Sequence, residues 1–360
     1  MPFHHQTYTA VHSQEARCAQ RQGAAQQNHF TLSALLFYAQ LVIGLAFFLY
    51  GHVSTPGYMS LLLLFFPLAG VYFLCCRLAR QNIASHPTAR AGNLLLGLCL
   101  FIDAQLCLYA FCDLMREMLP KYSTILIAPI TLGCVMAALH RQNSRALPAL
   151  ARLLRLPLTI GLVFCLLGAV PRADAGNLFP LLGLQPGRIL TGSLYMCSTL
   201  SCAFTPFFVR PGITVKAQAQ RGFRSLGLAL ALGVLTALLT ASLLPIYFLA
   251  RPNTIGGRML LPLKVNPALI AWSLMTCLML LLLLLALAGA LSRSRRLLSQ
   301  AVGRRIHGAV SLALVPLPAL STDLAGNITA WLAPARLALM GLALVFYAIA
   351  ALSRREAPAQ

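Results

Sequence analysis

Long apolar runs separated by short polar or basic segments recur along nearly the whole chain. A bilayer core about 30 Å thick takes about 17–25 apolar residues per helix. Runs of that kind, with loop charge deciding the shorter ones, predict ten spans: Leu32–Tyr50, Tyr58–Cys76, Leu94–Leu114, Ser123–Leu139, Leu156–Val170, Ile189–Val209, Leu226–Ala250, Leu269–Leu291, Ile306–Leu320 and Leu337–Leu352. The pattern is that of an all-α polytopic membrane protein. Residues 1–31 form a polar N-terminal tail, 32–352 the membrane domain and 353–360 a short C-terminal tail.

Composition agrees, since 59% of the 360 residues are hydrophobic and 10% charged, against roughly half and a quarter in soluble domains. The surplus has to face lipid. Lys and Arg number 28 against 7 Asp and Glu, a formal charge of +21. Such an excess would fit a nucleic-acid binder if the basic residues shared one folded face. Here they fall in clusters between apolar runs, which excludes nucleic acid as the expected partner and points to membrane topology instead.

Basic residues accumulate on the cytoplasmic side of membrane proteins. With the N-terminus inside, the outer segments hold only Arg116, Lys121, Arg172, Arg188, Arg251, Arg258, Lys264 and Arg336, and the other Lys and Arg fall inside or in the two tails. The expected placement is the inner (cytoplasmic) membrane, N-in and C-in, with membrane lipids as the first partners. The inner segment from Ser292 to Arg305 interleaves Leu297, Leu298, Ala301 and Val302 with Arg and Gln, so it is expected to lie along the inner leaflet.

Ten spans divide into two halves, 32–170 and 189–352, of five helices each. An odd number per half requires the second to be inverted relative to the first, as in a large class of secondary transporters. No residue-level repeat is visible. The N-terminal tail lacks an apolar core followed by a small-residue cleavage site and does not read as a signal peptide. Its His4, His5, His12 and His29 have no acidic or Cys partners nearby, so no metal site follows. The 11 cysteines lack paired loop spacings, and the ten in or at the edge of apolar runs, all but Cys18, read as small buried hydrophobes. No cofactor is expected.

Three strings carry a resemblance: Thr31–Gln40 entering helix one, Ser54-Thr-Pro-Gly-Tyr-Met-Ser-Leu61 entering helix two, and Asn177-Leu-Phe-Pro-Leu-Leu-Gly183 with Pro186, Gly187 and Gly192 entering helix six. They resemble the endospore germination permease family, the membrane subunit of germinant receptors within the amino acid–polyamine–organocation superfamily. The resemblance implies a ten-helix fold with helices one and six broken near mid-membrane around a small-molecule site, and partner membrane subunits. Helix one offers only Gly44 where related transporters carry a Gly-rich break, and helix six has no mid-span Gly.

Ionisable residues inside a membrane are costly and mark candidate sites. Asp103 is the only acid near the middle of a predicted span, and no Lys or Arg is expected at its depth. It is expected to face the bundle interior, either neutral and hydrogen-bonded as a strut or as a proton-coupling or solute-amine contact. Asp113 and Glu117, with Arg116 and Lys121 nearby, read as a solvated rim. In helix six, Ser198-Thr-Leu-Ser-Cys-Ala-Phe-Thr205 precedes Pro206, which cannot donate to the helix ladder. That stretch is where backbone is expected to unwind, although small residues also serve close helix packing. Gln40 and Gly44 stand one turn apart on one face of helix one, suited to a packing contact or a polar one.

The expected solute-binding residues are therefore Gln40, Gly44, Asp103, Ser198, Ser201 and Thr205. Phosphate loops, His-x-x-x-His patterns and Gly-x-Ser-x-Gly elbows are missing, so catalysis is not expected. The function expected is that of a permease-like protein binding a small solute such as an amino acid in spore germination. The alternative is a non-transporting membrane scaffold or assembly subunit that retains the fold.

Overall fold

The computed structural model describes residues 32–45, 57–79, 87–118, 124–141, 146–178, 187–204, 215–243, 269–302 and 322–356. These are all helical apart from the turns noted below. The helices are α1 (Leu32–Gly44), α2 (Gly57–Ala79), α3 (Pro87–Met118), α4 (Thr124–Arg141), α5 (Ala146–Ala169), α6 (Gly187–Thr199), α7 (Ser201–Phe204), α8 (Val215–Leu243), α9 (Leu269–Val302) and α10 (Thr322–Glu356). Two 3₁₀ turns, Val170–Arg172 and Ala175–Leu178, follow α5.

Helix is the form such sequence must take in lipid, because every backbone amide and carbonyl has to be satisfied within its own segment. Among the described residues five helices are long and apolar enough to cross a membrane: Met59–Leu78, Pro87–Arg116, Leu147–Phe164, Met275–Val302 and Pro334–Ser353. The chain is a multi-pass α-helical membrane protein. Nine of the ten predicted spans overlap described helices, several of them only in part. The ninth, Ile306–Leu320, and both tails' predicted ends, 1–31 and 357–360, lie outside the described residues.

Helices α3 and α9 form the centre, packed along each other, with α10 on α3 and α5 on α9. Both are mostly buried within the protein, whereas α2, α5 and α10 turn much of their surface outward. The outward residues are large and apolar, among them Phe66, Phe73, Leu153 and Phe164. That is the arrangement lipid requires, with apolar side chains on both the inner and the outer surface. The buried Cys75, Cys99, Cys107, Cys112 and Cys197 pack in the core and are not disulfide-bonded.

Two expectations about helix ends need correction. The basic segment after Leu291 does not lie along the leaflet as far as it is described: α9 continues without interruption to Val302. Leu297 and Leu298 are buried, and the Ser294 hydroxyl donates to the Gly97 carbonyl at 2.8 Å. Packing on the first half of α3 extends the helix beyond the length a bilayer needs. Asp113 is also not on a solvated rim; it is buried, 3% exposed, while its neighbour Arg116 is exposed.

Between α5 and α6 the connection is pinned to the end of α8. The Asp174 amide and the Asn177 side-chain amide both donate to the Ser242 carbonyl, at 2.9 and 3.0 Å. The last carbonyls of a helix lack intrahelical donors, and these two bonds supply one of them.

Candidate functional site

Helix six is interrupted where its sequence is richest in hydroxyls. Helix α6 ends at Thr199, Leu200 forms a turn, and α7 resumes at Ser201. The Leu200 amide reaches the Cys197 carbonyl at 3.2 Å, the shorter three-residue closure that marks a tightened last turn. The hydroxyls of Ser198 and Thr199 donate to the carbonyls of Tyr195 and Met196, each at 2.7 Å. Such back-bonding competes with the ladder and bends helices. The two adjacent back-bonding hydroxyls of Ser198 and Thr199, immediately before Leu200, thus account for the break.

Helix one meets this region from the side. Gly44 faces α6: a Cβ built on it would come within 2.7 Å of the Met196 sulfur and 3.2 Å of Thr199 Cγ2. Any side chain at this position would require the end of Met196 to shift or the two helices to separate. Gln40, one turn earlier, is also buried, at 4% exposure. Helix α1 is continuous as far as it is described, through Gly44, so a break further along helix one falls outside the described residues.

The third contributor overturns an expectation. Asp103 does have a basic partner at its depth: Arg336, which forms an ion pair with it through Nη2 and Oδ1. The same Nη2 donates to the Ser198 carbonyl at 3.3 Å, a carbonyl lying just before the break. The Ser201 hydroxyl, just after the break, donates to Asp103 Oδ2. Arg336 is 1% exposed and Asp103 3%. Among the described residues Arg336 Nε has no hydrogen-bond partner.

Arg336 is not an outer-loop residue because α10 begins at Thr322 and runs through Pro334. At 1.5 Å per residue it sits about 21 Å from the start of its helix and Asp103 about 24 Å from the start of α3. Both are near the middle of their helices. Helices α3 and α10 run antiparallel, as a second contact shows: the Tyr347 hydroxyl donates to Asn93 Oδ1 at 2.7 Å.

Of the expected site residues, Asp103, Ser198 and Ser201 are brought together at the break, Ser198 through its carbonyl. Gly44 lies against the same end of α6, and Gln40 is one turn away on α1. Thr205 lies outside the described residues. Arg336 is the residue that sequence reasoning missed. The signal was present, since Arg336 is the only charged residue between Asp323 and Arg354, a stretch long enough for a complete span. Among the described residues no cluster of His, Cys, Asp or Glu has the makings of a metal site.

The geometry defines a helical membrane protein with a buried acid–base pair at a broken helix. No family model matches the chain, and no curated protein matches it. Solved structures with a related arrangement include three variants of the manganese transporter of Eremococcus coleocola. Each is 16% identical with a TM-score of 0.47, over 89% of this chain and 75% of that one.

Proposed function

We propose that the chain is a permease-like membrane protein that binds a small solute at mid-membrane, between α1, the α6–α7 break, α3 and α10. The observation that carries this reading is the break at Leu200 facing Asp103 and Arg336. A helix interrupted in lipid exposes backbone groups, and it is tolerated where those groups serve a site or are buried in protein. Charged residues at the same level are themselves costly and mark solute or ion pathways.

The inverted five-plus-five arrangement is part of the same proposal, and the packing supports it. Counted as spans, α3 on α9 is three on eight, α2 on α8 is two on seven, and Gly44 against α6 is one on six. Off these pairs the pattern repeats. Helix α10 on α3 is matched by α5 on α9, and α10 on α2 by α5 on α8. Helix α2 on α6 is matched by α1 on α8, where Tyr38 Oη and Thr236 Oγ1 are 3.3 Å apart. Each of these contacts has a counterpart five spans further on.

The strings that resemble germination permeases add an amino acid as the solute and partner membrane subunits as the context. With no matching family model, the role in spore germination rests on those strings alone. One observation favours the scaffold reading: Asp103 already pairs with both Arg336 and Ser201, and Met196 fills the space against Gly44.

Equilibrium binding of radiolabelled amino acids to the purified chain separates the two. The permease-like reading expects saturable binding that Gly44→Trp and Ser201→Leu abolish. Absence of saturable binding across the common amino acids, by a chain that remains folded, would leave the scaffold reading. Binding unchanged by both substitutions would move the site elsewhere.

A further inference from the structure

Arg336 is connected in a way that a purely structural guanidinium would not need. Its planar fork carries five N–H donors and suits two-point binding of a carboxylate. Here a single nitrogen, Nη2, serves both Asp103 Oδ1 and the Ser198 carbonyl. Nε, on the side-on edge, is buried with no partner among the described residues. Buried donors are satisfied in the great majority of cases, and an exception asks for an explanation.

We infer that Arg336 is the anion-binding residue of the solute site and that Asp103 is the counter-ion holding its place when the site is empty. A solute with a carboxylate beside an ammonium exchanges with the pair. Its carboxylate takes the Nε–Nη edge of Arg336, and its ammonium takes Asp103, with the Ser201 hydroxyl and the Ser198 carbonyl as neighbouring polar groups. This rests on the reading of the region as a solute site and assigns the groups that read the solute.

Charge conservation selects the zwitterion. Removing one partner from a buried ion pair leaves the other uncompensated, which is strongly unfavourable. A carboxylate alone would strand Asp103, and an amine alone would strand Arg336. A zwitterion replaces both partners at once and leaves neither charge orphaned. The exchange also uses the unpaired Nε, which the resting pair does not.

The test uses the full chain in detergent and a thermal-shift screen of the common L-amino acids, followed by equilibrium binding of the strongest. Three analogues of that amino acid are then measured: the amine lacking the carboxylate, the acid lacking the amine, and the methyl ester. The expectation is an affinity loss of about tenfold or more for each. Arg336→Lys keeps the charge but removes the fork, and should weaken the amino acid about tenfold while leaving the ester unchanged.

Should Arg336→Lys fail to fold, the exchanged pair Asp103→Arg with Arg336→Asp keeps the balance of charge, and the analogue series needs no variant. An acid or amine binding as tightly as the zwitterion would overturn the inference. So would an amino acid-to-ester ratio unmoved by Arg336→Lys. In both cases the solute-site reading survives, whereas no saturable binding of any amino acid would remove the reading and the inference together.

Discussion

Gly44 and Met196 stand so close that a Cβ on residue 44 would lie 2.7 Å from the Met196 sulfur. The contact fixes how nearly helix one approaches the last turn of α6. Met196 is fully buried but unbranched, and its sulfur end can shift. Gly44→Ala gains helix propensity of about 1 kcal/mol, which offsets a small displacement of Met196, so its net effect on thermal stability should be slight. Gly44→Leu adds volume that a close contact cannot absorb and should cost about 1–3 kcal/mol. Adding Met196→Ala to Gly44→Leu should restore part of the loss, read as the melting temperature in detergent; no restoration would mean that the contact does not limit the packing.

Asp103 and Arg336 should behave as one unit. Arg336→Met leaves a buried carboxylate uncompensated and should destabilise by about 3–5 kcal/mol, whereas Asp103→Leu with Arg336→Met should come near neutral or better. Asp103→Asn keeps the shape but leaves the guanidinium without its counter-charge, so it should be less stable than the double substitution. Independent, additive losses in a thermal unfolding cycle would show that the two side chains are not coupled.

Ser198 and Ser201 have similar burial and different tasks. The Ser201 hydroxyl serves a carboxylate across the interface, while the Ser198 hydroxyl only back-bonds within its own helix. Ser201→Ala should cost about 1.5–3 kcal/mol, the range for hydrogen bonds to charged groups, and Ser198→Ala about 1 kcal/mol or less. Equal losses would argue that the Ser201 bond to Asp103 contributes nothing special.

How far the sequence could be read depended on whether a signal was local. Apolar runs marked nine stretches that overlap described helices, and the hydroxyl-rich stretch from Ser198 to Pro206 marked the region in which α6 and α7 part at Leu200, because both effects arise within a few residues. Gly44 as a point of close approach was legible for the same reason. Arg336 was not, because beside Pro334 and ahead of Leu337 it looks like a loop charge bounding an apolar run. Only the packing of α10 on α3, more than two hundred residues apart in sequence, shows that the helix continues through it. The basic end of α9 was misjudged likewise: its amphipathic pattern suits a lipid surface, and Ser294, Leu297 and Leu298 bury it against α3 instead.

Orientation can be tested at two described, exposed positions. Ala175 lies in the connection assigned to the outer face and Gln300 near the end of α9 assigned to the cytoplasm. Moving Arg336 into the membrane removes one basic residue from the outer set and sharpens the inside bias. A membrane-impermeant thiol reagent applied to intact cells should label Ala175→Cys above the parent protein and should label Gln300→Cys only after the cells are opened. The reverse pattern would invert the topology.

The pairing of Arg336 with Asp103 also bears on how a membrane potential would act on these two charges. A single charge crossing the bilayer exchanges about 2.3 kcal/mol with a potential of 100 mV. A guanidinium and a carboxylate that remain together carry no net charge, so movement of the intact pair along the field is electrically silent. A neutral zwitterion exchanging with them leaves that sum unchanged. Under the exchange proposed above, occupancy of the site would be insulated from voltage, and current would flow only if an ion accompanied the solute.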